Sequence, residues 1–378
     1  MEFLARFLLF AIAVIIFLEN SLWAFDFEFN GRLRGDERYI LDPPEGIDNI
    51  DSAIELRLGG HGDFFKAESW DLDYEILVDT RAFDGPSEKA GFSEDFDLDI
   101  FRGWVRLDYE KWRLRAGRQQ ILFGAGNLFR PLGFFDDRII SSVFPLTAGV
   151  DGFRFSWFQD EVTTFQAWAV PSKIKGRLII GGRWESILRG IETGIVIQHS
   201  PKTELRSIPN FDLETFQVGY HMKGEYELGL WSEGRFDLEK KIDGNKNRFE
   251  SVVGADYTFD LGEGLHFVLE YFMSISEKNF SIKDLKGDHE IYQFGVQLDQ
   301  PVGIATVWRA FGFYDIRDGS FQIAPQIEYA VMDNTFFYLR ANWGGDTDGK
   351  DFFGRLSRKS FAFSGMESSV GATLIIFF

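Results

Sequence analysis

Apolar and polar residues alternate with a period of two along most of this chain. The pattern is plain in Phe25/Phe27/Phe29, Ile54/Leu56/Leu58, Trp70/Leu72/Tyr74/Ile76/Val78, Phe153/Phe155/Trp157 and Phe165/Ala167/Ala169. It resumes in Ile191/Thr193/Ile195/Ile197, Tyr226/Leu228/Leu230, Phe249/Val253/Tyr257, Leu265/Phe267/Leu269/Tyr271 and Tyr292/Phe294/Val296/Leu298. The last runs are Phe321/Ile323/Ile327/Tyr329, Phe337/Leu339/Ala341/Trp343 and Val370/Ala372/Leu374/Ile376/Phe378. Side chains of a strand point alternately to its two faces, so each run predicts a β-strand with one apolar and one polar face. The fullest example is a hairpin turned at Glu110-Lys111. On its first strand Phe101, Val105, Leu107 and Tyr109 oppose Arg102, Arg106 and Asp108. On its second, Trp112, Leu114 and Ala116 oppose Arg113, Arg115 and Gln119. Strict alternation turns Arg118 to the apolar face, where a bulge or the membrane interface must accommodate it.

Turns fix the direction of the strands. Short connections are predicted at 110–111, 159–161, 188–190, 222–224, 261–264, 300–303 and 332–334. Long ones are predicted at 35–50, 83–95, 122–150, 171–176, 200–212, 237–248, 277–289 and 346–365. The two kinds alternate, and reading 177–187 as a strand brings the count to eighteen, with sixteen as the rival. Segments of about ten residues suit tilted strands crossing a bilayer, whereas strands of soluble sheets average about 5–6 residues. So many long amphipathic strands would expose too much apolar surface in water. The predicted fold is therefore all-β: a transmembrane antiparallel β-barrel with short periplasmic turns and long extracellular loops. The terminal strand, ending on Phe378, has the form by which outer-membrane barrels are recognised for assembly. That makes barrel-assembly machinery an expected partner, with outer-membrane lipid and lipopolysaccharide as the surroundings.

Residues 1–24 form a separate unit. An apolar run from Phe7 to Leu18, preceded by Arg6 and followed by Glu19-Asn20-Ser21 and Leu22-Trp23-Ala24, predicts an export signal peptide, which leaves 25–378 as the barrel. An uncleaved anchor is the alternative, although the run falls short of the ~20 residues a helical span needs. Mean hydropathy of −0.14 beside 17% aromatic residues fits apolar groups that alternate rather than cluster. A formal charge of −19 opposes nucleic-acid binding, which needs a basic face. With no cysteine, thiolate metal sites and disulfides are excluded. The histidines at 61, 199, 221, 266 and 289 fall on different segments, none beside a partner at metal-ligand spacing. No cofactor, metal site or enzymatic constellation is predicted.

The candidate functional residues lie between 102 and 138. Arg102, Arg106, Arg113 and Arg115 share the polar face of paired strands, with Arg154 and Arg340 on polar faces elsewhere. In a lumen such a row sets a positive local field and favours anions. The alternative is that these arginines pair with Asp97, Asp99, Asp108 and Glu110 and brace the wall. After the hairpin, Phe123, Leu128, Phe129, Leu132, Phe134 and Phe135 need burial, and the hollow of a wide barrel offers it. The segment is predicted to fold inward as a constriction, with Arg130, Asp136, Asp137 and Arg138 lining the opening beside wall residue Gln119. A loop lying over the rim is the other placement.

Gly117-Arg-Gln-Gln-Ile-Leu-Phe-Gly124, Arg130-Pro-Leu-Gly-Phe-Phe-Asp136 and Thr147-Ala-Gly-Val-Asp-Gly152 resemble a pattern of bacterial outer-membrane porin-like barrels, the alginate-export type among them. The resemblance implies a wide monomeric barrel passing sugars or oligosaccharides, and carries a basic conduit no further than the arginines named. The function expected is passive diffusion of small hydrophilic solutes, sugars or anions, past an inward-folded loop. The alternative is a non-conducting scaffold, or a component of a polysaccharide or export assembly.

Overall fold

A computed structural model describes residues 27–41, 49–87, 91–136, 147, 149–172, 174, 176–202, 213–240, 246–277, 289–317, 319–345 and 368–378. The expected signal peptide lies outside the described residues. So do the whole 346–365 connection, Asp137 and Arg138. The elements are β1 (Phe27–Ile40), β2 (Ile50–Lys66), β3 (Trp70–Ser87), β4 (Gly91–Tyr109), β5 (Trp112–Gln119) and β6 (Val150–Phe158). They continue as β7 (Thr164–Pro171), β8 (Leu178–Leu188), β9 (Ile191–Lys202), β10 (Leu213–Glu225), β11 (Gly229–Lys240) and β12 (Lys246–Phe259). The last are β13 (Leu265–Glu277), β14 (His289–Val302), β15 (Thr306–Asp315), β16 (Phe321–Met332), β17 (Thr335–Gly345) and β18 (Ser369–Phe377). Each strand pairs antiparallel with its sequence neighbours, and β1 pairs with β18, so the eighteen-stranded sheet closes on itself and leaves no open edge.

The faces follow the sequence pattern. Val105, Leu114, Phe153, Ile180, Ile195, Ile327 and Leu374 are among the large apolar side chains exposed on the outer surface. Water would not tolerate this belt, and lipid supplies its counterpart. At the short-turn end the belt is edged by aromatic rings. Trp70 packs on Tyr109 with centroids 4.1 Å apart, and Trp157 lies between Trp112 at 5.8 Å and Phe165 at 5.3 Å. Such amphipathic rings settle where hydrocarbon meets headgroups. The 159–163 turn is closed by Asp160, whose carboxylate accepts N–H bonds from Val162 and Thr163 at 3.0 and 2.7 Å. Those bonds hold the carboxyl below the usual carboxylate range. Two-residue turns at Glu110-Lys111 and Arg189-Gly190 place Glu110 at φ 48° and Arg189 at φ 54°, the positive values that match the twist of a hairpin.

Three local expectations are corrected. The 83–95 connection is mostly ladder: β3 and β4 pair as far as Ser87 with Gly91. Beyond the membrane both faces of a strand meet water, so strands there lose the apolar alternation that marks them. The chain between β10 and β11 turns at 226–228 rather than 222–224, because Gly224 sits within the ladder opposite Ile191. Strand β15 interrupts its outer row with Gly312 and stands out weakly in the sequence, whereas β10 alternates plainly, with Phe216, Val218, Tyr220 and Met222 on one face. Finally, Phe101 does not share the outer face of Val105. The β3–β4 register slips between Leu77 and Val78, which makes Phe101 the extra residue of a β-bulge. It turns inward, where the Arg57 guanidinium lies 3.3 Å from its ring centroid.

Candidate lumenal site

Past Gln119 the chain leaves the wall and enters the barrel. Ile121, Phe123 and Leu132 pack with Trp168 and Val170 of β7 and Val196 of β9, with Phe134, Phe135, Val150 and Ile179 at the margin. Leu128 and Phe129 pack with Trp231, Val252, Val268, Phe272, Phe311, Phe313 and Ala324, on β11 through β16. Phe129 stacks on Phe272 at 5.0 Å and meets Phe313 edge-on at 5.8 Å. One short segment therefore bridges two stretches of wall. Gly219 and Gly295 let it come close: a Cβ on the first would lie 2.1 Å from Leu132, and on the second 2.7 Å from Phe129.

An irregular backbone buried in this way needs partners for its N–H groups. Two carboxylates of the wall supply them. Glu270 on β13 accepts from Asn127 at 2.7 Å, Leu128 at 2.9 Å and Phe129 at 2.7 Å, and from the Trp231 indole at 2.7 Å. Glu233 on β11 accepts from Gly126 at 2.9 Å and Leu132 at 2.5 Å. Both side chains are fully buried. Successive N–H groups converging on one oxyanion form an anion-binding nest, here satisfied from within the molecule. Arg235 adds a bond to the Pro131 carbonyl at 2.5 Å and is itself held by Glu250 at 2.7 Å. None of these wall residues was singled out by the sequence. Lumenal carboxylates are frequent, and nothing local marks the two that face a buried backbone.

Within the segment, Arg130 and Asp136 are buried and form an ion pair at 2.5 Å, and Asp136 also accepts from the Thr147 hydroxyl at 2.7 Å. Arg102, also buried, donates to the Thr147 carbonyl at 2.7 Å. Together they tie the returning end of the segment to β4. Gln119 is buried and its amide donates to the Gly152 carbonyl at 3.1 Å.

The arginine row does lie together on the inner wall. Arg106 faces Arg115 across the β4–β5 ladder, and Arg115 faces Arg154 across β5–β6. Arg106 is held by Asp73, with Nε at 2.9 Å, and Arg113 by both oxygens of Asp108 at 2.7 and 2.9 Å. Farther along, Arg57 grips Asp79 at 2.5 and 2.6 Å, Arg32 pairs with Glu55, and Arg340 reaches Asp36 at 3.6 Å. Arg115 differs: its guanidinium lies 4.1 Å from the Trp104 ring centroid, and Arg154 donates only to the Gln120 carbonyl at 3.3 Å. Among the described residues neither makes an ion pair. Arg118 takes the outward parity expected and is accommodated by Asp151 at 3.0 Å and Asp99 at 2.7 Å. A cavity of about 480 Å³ opens on this side of the lumen, lined by Arg32, Arg57, Arg102 and Arg115 with Glu75 and Trp104.

The histidines also differ from expectation. His221 stands beside Glu185 and Glu192, which the sequence places on other strands.

Solved structures share this architecture at low sequence identity. OccAB3 of Acinetobacter baumannii matches with a TM-score of 0.56 at 12% identity, covering 93% of this chain and 99% of that one. OccK5 (OpdH) of Pseudomonas aeruginosa gives 0.53 at 11%, covering 93% and 97%. OmpT in its trimer form, an outer membrane protein of Vibrio cholerae, gives 0.51 at 10%, covering 93% and 99%. No protein-family model matches the sequence, and no curated protein matches it. The alginate-export part of the resemblance draws no support from these likenesses. What these likenesses support is the fold: an eighteen-stranded antiparallel barrel similar to solved structures of bacterial outer-membrane proteins.

Proposed function

We propose that this barrel is a channel of the outer membrane through which small hydrophilic solutes diffuse, narrowed by segment 120–136 and biased weakly towards anions. The observation that carries the reading is the placement of that segment. It is fixed against β7–β16 by packing and by Glu233 and Glu270, while the arginine-lined side keeps its cavity. A barrel of eighteen strands is too wide for wall side chains to fill, so whatever the segment leaves open holds water. Passage then involves no covalent step, only sieving and the local field.

The sign of that field is set near the constriction. At physiological salt the Debye length is about 8 Å, so the acidic excess on distant loops is screened. Near the cavity Arg57, Arg106 and Arg113 are neutralised by carboxylates, whereas Arg115 and Arg154 make no ion pair among the described residues, and Glu75, which accepts from the Trp104 indole, offsets one of the two. The small positive excess gives a modest preference, and sugars remain admissible solutes.

Purified protein in planar bilayers tests the reading. Stepwise conductance is expected, with a reversal potential displaced towards anions in a salt gradient. A bilayer that stays silent while the barrel inserts would favour the scaffold or export-assembly alternative. The surroundings proposed with this function are outer-membrane lipid and lipopolysaccharide, reached through assembly machinery that reads the β18 terminus.

A further inference from the structure

Glu185 on β8, Glu192 on β9 and His221 on β10 each offer one ligand atom within 4.8 Å of the other two. We propose that these three residues form a site for one divalent transition-metal ion on the inner wall near the short-turn end. This reading is independent of whether the barrel conducts.

The register explains how three strands deliver their side chains to one point. Gly194 of β9 is the direct partner of Glu185 on one side and of His221 on the other. A Cβ at Gly194 would lie 2.1 Å from His221 Cε1 and 2.8 Å from both ring nitrogens. The imidazole therefore lies against the β9 backbone, in a space that any other residue would fill, and reaches from β10 towards β8. Glu192, two residues along β9 on the same face, brings its Oε1 to 3.4 Å from His221 Nε2.

Burial separates this cluster from an ordinary patch of lumenal acids. His221 is only 1% exposed, and its Nδ1 has no hydrogen-bond partner. With Nδ1 outside any hydrogen bond, the ring's only polar contact among the described residues is through Nε2, which meets Glu192 and is the nitrogen placed to bind a cation. The carboxylates are on the wet side of the ring: the side chains of Glu185 and Glu192 are 26% and 45% exposed. Water can thus complete the coordination, and an ion can enter from the lumen.

Charge and donor chemistry select the ion. Arg183 lies 2.8 Å from Glu185 and offsets one carboxylate, while Lys223 is drawn to Glu225 at 2.9 Å. One negative charge remains for a cation. One imidazole nitrogen with two carboxylate oxygens suits zinc, cobalt or nickel, whereas magnesium and calcium take oxygen ligands. Bonds of about 2.0–2.2 Å put ligand atoms roughly 3–4 Å apart, so modest side-chain rotation closes the site.

The test uses untagged, folded full-length barrel in detergent, stripped with chelator and dialysed against zinc or cobalt. One equivalent should be retained, cobalt should give visible d–d absorption, and excess magnesium should not displace it. His221→Gln should abolish both signals. Glu192→Gln, on a half-exposed side chain, should weaken binding more than tenfold, and Gly194→Ala should do the same by displacing the ring. Circular dichroism and heat-modifiable gel migration confirm that each variant is folded. If His221→Gln fails to fold, the other two variants decide. Absence of stoichiometric binding by the unaltered protein, equal binding by folded variants, or ready displacement by magnesium would overturn the proposal.

Discussion

From β1 to β6 the inner wall presents guanidinium–carboxylate pairs, such as Arg57 with Asp79, Arg106 with Asp73 and Arg113 with Asp108. From β7 to β16 it presents an apolar patch of Trp168, Val196, Trp231, Val252, Phe272 and Phe313, set among buried polar groups such as Glu233, Arg235 and Glu270. The first half is built to face water: most of its charges neutralise each other across neighbouring strands, and only a few, such as Arg115 and Arg154, stand without an ion pair among the described residues. The apolar patch of the second half would be intolerable in a wet lumen and is covered by segment 120–136. Burying each large apolar side chain there contributes roughly 1.5–3 kcal/mol, which fixes the segment to one side. What the contrast teaches is that inward-facing residues of a wide barrel need not be polar wherever the chain brings its own filling.

The sharpest way to break the contrast is to remove the filling. Deleting Asn127–Phe135 should raise single-channel conductance severalfold while the barrel still inserts. Unchanged conductance would place the segment outside the permeation path. Replacing Glu233 and Glu270 together with Ala should come next in size. The pair accepts five backbone N–H bonds from the segment, and each buried donor left without a partner costs about 1–3 kcal/mol. The segment should then detach, with noisy conductance and new protease cleavage between 121 and 136. Phe129→Ala removes one stacked and one edge-on aromatic contact. It should cost about 3–5 kcal/mol of local packing and give a milder form of the same noise.

The charged half is probed by smaller effects. Replacing Arg102, Arg106, Arg113 and Arg115 together with Gln should move the reversal potential towards cations, but it also uncovers Asp73 and Asp108. Arg115→Gln alone is cleaner, because Arg115 rests on Trp104 and neutralises no acid. A small cation-ward shift is expected, and it should vanish in 1 M salt, where the Debye length is about 3 Å. If the single variant leaves the potential unmoved at low salt, the row is bracing alone.

How much of this could be read from the sequence varied with what carries the signal. Strand number and inward folding were legible, because alternation reports the two faces and because six large apolar groups in 123–135 demanded cover. The anchors were not. Glu233 sits in a run whose other carboxylates, Asp237 and Glu239, meet Arg248, and the partners of both anchors are mostly peptide N–H groups, which have no sequence identity. Arg106 meets Asp108 of its own hairpin at 3.5 Å, as the bracing alternative had it, but its closer partner is Asp73 of the preceding strand, a contact that only the register specifies. Phe101 was misplaced for a similar reason, since one bulge reverses the parity of everything beyond it. The Glu185–Glu192–His221 cluster needed three strands in register before its members became neighbours.

The anchoring of segment 120–136 has a consequence for the order of folding. The segment leaves the wall after β5, yet its hydrogen-bond partners lie 101 to 143 residues later in the chain. Contacts of such separation form late, because the intervening loop must first be closed. Glu233 and Glu270 face the segment only once β11 to β13 stand in the sheet, and the Phe129 socket also needs β15. Docking therefore follows most of the assembly of the wall, so the nascent barrel passes through a stage that is nearly closed but still hollow.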